Sequence, residues 1–264
     1  IDKPTMQFVN PLLKRKAFIW WNFPVSDYVR DRLLLGAVYG NGTDIDDDIS
    51  AFISNPMEHA EASKIALFSI ADYAWNMDAY KSDASWRRAV RYLMPGHAAA
   101  LQVFASHNSD LGGNEHDFRR EESEQIRPAL ERLLDAYCRE GKREVAAASA
   151  VTEECERMIA SADLLLASDE NPALIKEISP WLIQFKLLGE YGREVLCMLA
   201  AQCDGKKTEL EKAASHAKAL QVLMKKIDAT YNQNGFQPGV KTGSCHLKPA
   251  FDRLYQEVVQ RTGK

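Results

Sequence analysis

The 264-residue chain is short of several things, and each shortage closes a class of function. It has no surplus of positive charge. With 33 Lys and Arg against 37 Asp and Glu it carries a formal −4, so no nucleic-acid partner is expected. No apolar run approaches the roughly 20 residues that span a bilayer, so no membrane partner is expected either. Residues Ile1 to Asn10 offer neither a charged n-region nor an apolar h-region, so the sequence as it stands predicts no signal peptide. The five cysteines are an odd number at wide spacing, which points to free thiols, three of them in helical patterns as small core residues. Free thiols favour a reducing compartment, although an exported protein can keep buried ones. No Gly-x-Ser-x-Gly elbow exists, and Cys245 and His246 are chain neighbours in a loop, a poor arrangement for a nucleophile and its base. No second helical histidine completes a His-Glu-x-x-His site around Glu58 and His59, so a first-turn charge cluster is the simpler account of that pair.

What the chain does hold is concentrated between Trp20 and Lys64. The run Ala17 to Asn22, closed by Pro24, reads as a strand whose two-residue period puts Ile19 and Trp21 on one face and Phe18, Trp20 and Asn22 on the other. A large aromatic and an amide thus share one wall. The run Ala51 to Asn55 repeats the device, with Asn55 just before Pro56 and a helix opening near Glu58. Strand ends of this kind are where α/β folds keep their chemistry. Asp27 leaves the first strand at a distance suited to a shared pocket, and its carboxylate could accept from two adjacent sugar hydroxyls. Other roles fit the same residues: Ser26 or Asp27 as the N-cap of a helix-like YVRDRLLL, and Asn55 as an Asn-Pro turn opener.

The acidic cluster Asp44 to Asp48 lacks the Gly and terminal carboxylate of an EF-hand loop and reads as a solvated turn. After Pro95 strand signals stop. Helical periodicity predicts segments near 97–106, 127–140, 145–166, 173–202, 209–231 and 249–261, which should pack as an antiparallel bundle. The stretch His107 to Gln125 interrupts them as a connecting loop, and its two histidines stand too far apart for a helical zinc pair. Neither a metal nor any other cofactor is expected.

The blocks AFIWWNFPVSDYVRDRLLLGAVYG, FISNPMEHAEASKIALFSIADYAWN, HNSDLG and FRREES together resemble glycoside hydrolase family 84, the retaining β-N-acetylglucosaminidases that include bacterial and animal O-GlcNAcases. The likeness is strongest from Ala17 to Asn76. It implies an α/β part followed by an all-α part: the last two strands and last helix of a (β/α)8 barrel in residues 1–95, then an antiparallel helical bundle in 96–264. It also implies substrate-assisted catalysis, in which the 2-acetamido oxygen attacks the anomeric carbon to form an oxazoline, aided by two neighbouring aspartates on an earlier strand. No matching pair stands here, so the chain is expected to bind sugar and leave proton transfer to an upstream barrel segment. By resemblance, Asp27 meets the 4- and 6-hydroxyls, Asn55 meets hydroxyls on the same side of the ring, Trp20 and Asn22 wall the acetamide and anomeric region, and His116 lies in a loop near the pocket rim. The implied partner is an N-acetylglucosamine-containing glycoside or glycoprotein, with export to the periplasm or beyond for a Bacteroides-type parent and a cytoplasmic place otherwise. Two rivals remain open: a non-catalytic helical interaction module, and a related hexosaminidase acting on hyaluronan-type substrates.

Overall fold

The computed structural model describes residues 1–110 and 120–262. Two strands, β1 (Ala17–Pro24) and β2 (Ile49–Asn55), pair in parallel, with Trp20 opposite Ile53 and Trp21 opposite Ser54. Helix α1 (Lys3–Leu13) precedes them; Asp2 caps it by accepting from the Thr5 N–H at 2.9 Å. Lys3 reaches the acidic turn at Asp44 and Asp48, both 3.8 Å away, so that turn is partnered by a lysine. Helix α2 (Ala60–Trp75) covers one face of the pair, where Trp21 meets Phe52 edge-on at 5.4 Å and Tyr73 at 6.0 Å. Helices α3 (Ser82–Leu93) and α4 (Ala98–Ser106) follow, and then α5 (Arg127–Glu140), α6 (Val145–Leu166), α7 (Pro172–Cys203), α8 (Lys207–Thr230) and α9 (Leu247–Thr262).

Parallel strands need a crossover, and here it carries no α-helix. The helix-like YVRDRLLL instead forms two linked turns, closed by Val29 N–H to Ser26 O and Arg32 N–H to Val29 O, and then runs as chain without regular secondary structure. Leu33 to Val38 are fully buried, and buried backbone must find partners. The Leu35 N–H donates to Asn108 O at 2.8 Å, Leu35 O accepts from the Trp86 indole at 2.8 Å, and the Val38 N–H and C=O bond Ser69 and Tyr80. A helical pattern in sequence was overridden by burial on every side. The helix expected to open near Glu58 is α2, whereas α1 and α3 had no sequence expectation.

In the helical part α7 is central, packing on α6, α8 and α9. Two glycines make this possible. A Cβ on Gly192 would stand 2.5 Å from the Phe251 ring of α9 and 2.8 Å from Cys155 Sγ of α6, and one on Gly189 would crowd Cys155 O at 3.0 Å. Along α9, Phe251, Leu254 and Val258 are buried in one stripe, while Val259 is exposed. All five thiols are free, but of the three in predicted helices only Cys155 is a buried core residue; Cys138 is half-buried and Cys197 exposed, which corrects the expected core trio. No described helix is long and apolar enough to cross a membrane.

Candidate functional site

The alternation along β1 leaves Phe18, Trp20 and Asn22 on the face that α2 does not cover, and the register sets Ala51, Ile53 and Asn55 beside them. This face is open: Phe18 is 63%, Trp20 67% and Ile53 45% exposed. At its C-terminal end three of the sequence-predicted residues meet. The Trp20 indole N–H donates to Asn22 Oδ1 at 2.8 Å, and Asn55 Nδ2 donates to the same oxygen at 3.3 Å. Asn22 therefore spends its acceptor on its neighbours, leaving its own amide N–H groups for a ligand. Below them the Ser54 hydroxyl donates to Phe23 O at 2.7 Å, tying the two strand ends together.

Asp27 stands on the first turn after β1, exposed, and its backbone oxygen accepts from Arg30 Nε at 3.3 Å. It caps no helix. Arg30 also faces Glu58 at 3.6 Å. His59, just before α2, is partly buried against the Trp181 ring at 4.9 Å, and its pKa is lowered, desolvation outweighing the nearby Glu177 and Glu58 charges. The α2 N-terminus is capped across the fold, by the Glu177 carboxylate accepting from the Ala62 N–H at 2.7 Å. His116 lies outside the described residues. The flanks of its segment are fixed: buried His107 accepts or donates between Ser123 Oγ at 2.8 Å and Glu154 Oε1 at 2.7 Å, and the Ser123 N–H donates to Ser106 O.

Sequence reasoning missed the residues behind Asp27. Asp31, 4% exposed, receives the Lys241 ammonium at 2.6 Å, and its backbone oxygen accepts from both the Trp181 indole at 2.9 Å and the Lys241 N–H at 2.8 Å. Only their residue types were visible in sequence, because the partners lie up to 210 positions apart. A separate open cleft of about 630 Å³ between α7, α8, α9 and residues 241–249 includes Gln184, Asp228, Lys241 and Tyr255 in its walls; none of Trp20, Asn22, Asp27 or Asn55 lines it.

Residues 122–255 match the family model described as bacterial GH84, post-catalytic domain, and residues 1–106 match the model described as beta-N-acetylglucosaminidase. The protein O-GlcNAcases of Rattus norvegicus and Mus musculus are each 30% identical over 84 residues, 31% of this chain and 9% of theirs. The solved structure of CpGH84D superposes with a TM-score of 0.85 at 26% identity, covering 98% of this chain and 43% of that one. A mutant of the Thermobaculum terrenum O-GlcNAc hydrolase shares the fold with a TM-score of 0.75 at 21% identity, covering 100% of this chain and 54% of that one. The chain thus spans under a tenth of the curated relatives and about half of the solved ones.

Proposed function

Since the chain belongs to glycoside hydrolase family 84, we propose that it is the C-terminal portion of a retaining exo-β-N-acetylglucosaminidase that removes terminal β-linked N-acetylglucosamine. Residues 1–95 then belong to a (β/α)8 barrel and 96–264 to a helical bundle behind it. The observation that carries this reading is the Trp20–Asn22–Asn55 cluster at the ends of two parallel strands, on a face left uncovered. In a parallel barrel the helices take the outer face, and the inner face points to the axis. Here α2 has the outer face, so Phe18, Trp20 and Ile53 point where further strands would close the barrel.

The division of labour follows from the residues present. Asp27 accepts from the sugar's 4- and 6-hydroxyls, Asn55 adds contacts on the same side, and Trp20 with Asn22 walls the acetamide. Holding the acetamide against the anomeric carbon is what makes intramolecular attack fast, because the reacting atoms are already together. The paired aspartates that orient the acetamide and move the proton belong to an earlier strand outside this chain.

In the complete protein, Asp27→Ala and Asn55→Ala are expected to weaken an N-acetylglucosamine-like inhibitor by roughly tenfold to a hundredfold each, as lost charged and neutral hydrogen bonds do. Thermal melting serves as the control for folding. Unchanged affinity in folded variants would favour the helical interaction module. The 264-residue chain alone is expected to leave an aryl β-N-acetylglucosaminide intact, and robust turnover would refute the division of labour.

A further inference from the structure

One stripe of α7 gathers several of the elements that surround the candidate sugar loop. Glu177, Trp181, Gln184 and Leu188 follow at spacings of four, three and four, so they share one helix face. Glu177 caps α2, Trp181 donates to Asp31 O, Gln184 Nε2 donates to Val240 O at 3.2 Å, and Leu188 lies against the left-handed Gly243. The segment 240–246 is pinned along its length. Val240 N–H donates to Asp228 at 2.9 Å, Gly243 N–H to His107 O at 3.1 Å, and the Cys245 and His246 N–H groups to buried Glu122 at 3.1 Å each. Lys241 is thereby presented on a rigid support. From it, two bonds reach Asp31, and Asn232 Nδ2 donates to the adjacent Arg30 O at 2.7 Å.

We infer that Lys241, acting through Asp31, is a positioning residue for the sugar-binding carboxylate of Asp27, so that the helical part of the chain helps hold the shape of the site. The linkage is short. Asp31 sits in the second of two turns that share Val29, Asp27 sits in the first, and Arg30 Nε donates back to Asp27 O. A loop left to itself would sample many turn conformations, and ordering it on binding would cost conformational entropy. The clamp meets that cost during folding. The inference rests on the reading of Asp27 as a sugar ligand.

The test is made in the complete enzyme with an aryl β-N-acetylglucosaminide. Lys241→Met is expected to raise KM on the order of tenfold with a smaller fall in kcat, and Lys241→Arg to recover most of the loss. Because Lys241→Met leaves the buried Asp31 carboxylate with the Arg32 guanidinium 3.6 Å away but without its ammonium partner, the pair Asp31→Asn with Lys241→Met is measured beside it; it removes the side-chain tie, while the backbone bonds to Asp31 O remain, and should raise KM similarly. In an Asp27→Ala background Lys241→Met should add less than about twofold, since the contact it supports is already gone. Multiplying effects there would overturn the inference, as would wild-type KM in folded Lys241 variants alongside a raised KM in Asp27→Ala. An unchanged KM in Asp27→Ala would remove the sugar reading itself, and the clamp with it.

Discussion

Glu122 shows how a single buried carboxyl can set a pH dependence. It is 1% exposed, and desolvation raises its pKa to about 7 against the opposing pull of the Cys245 and His246 N–H groups. The unfolded chain releases this proton near pH 4.5, so between about 4.5 and 7 the folded state binds the extra proton and stability falls as pH rises. Glu122→Gln keeps the acceptor oxygen without the charge. Its stability relative to the parent, read by chemical denaturation, should therefore improve between pH 5 and pH 8, by an amount on the order of a few kcal/mol. A flat difference would mean that the carboxyl titrates normally. At this scale the sequence is uneven as a guide. The grouping of Trp20, Asn22 and Asn55 was legible because a strand's period is two and parallel pairing aligns like ends. The Lys241–Asp31 pair was not, since nothing local in either segment refers to the other.

Among the elements, helices with long uninterrupted periodicity were legible to within a few residues: α5 through α9 each begin and end near the expected positions. The misses have particular causes. Pro4 and Pro11 obscure α1, although Pro4 falls in the first turn, where a missing N–H costs nothing. The crossover keeps the turns of the helix-like YVRDRLLL but no helix, because the backbone of Leu33 to Leu35 is claimed by Met57, Asn108 and Trp86. Helix packing offers a direct test of what the α7 glycines do. Gly192→Ala is expected to destabilise by about 1–3 kcal/mol, since its methyl group would overlap the Phe251 ring, with a lowered Tm as the readout. Gly205→Ala meets no atom within 4 Å, but at φ +69 it should cost about 1 kcal/mol from backbone strain alone.

For the whole molecule, the uncovered face of Phe18, Trp20 and Ile53 implies that the 264-residue chain in isolation binds a hydrophobic dye and self-associates. Phe18→Ser with Ile53→Ser should reduce both; the complete protein should show neither. The buried crossover has a consequence for protein engineering. Leu33 to Val38 belong by sequence to the strand region, yet their hydrogen bonds are made with α2, α3 and the end of α4, and Asp31 just before them is gripped by α7 and Lys241. A chimera that exchanges everything after residue 95 for the helices of a distant relative would bring a foreign mould to this strap. Residues 25–48 keep α2 and α3 in such a chimera, so successful grafts should be those whose incoming helices restore the four partners lost beyond residue 95, Asn108, Trp181, Asn232 and Lys241, to Leu35, Arg30 and Asp31.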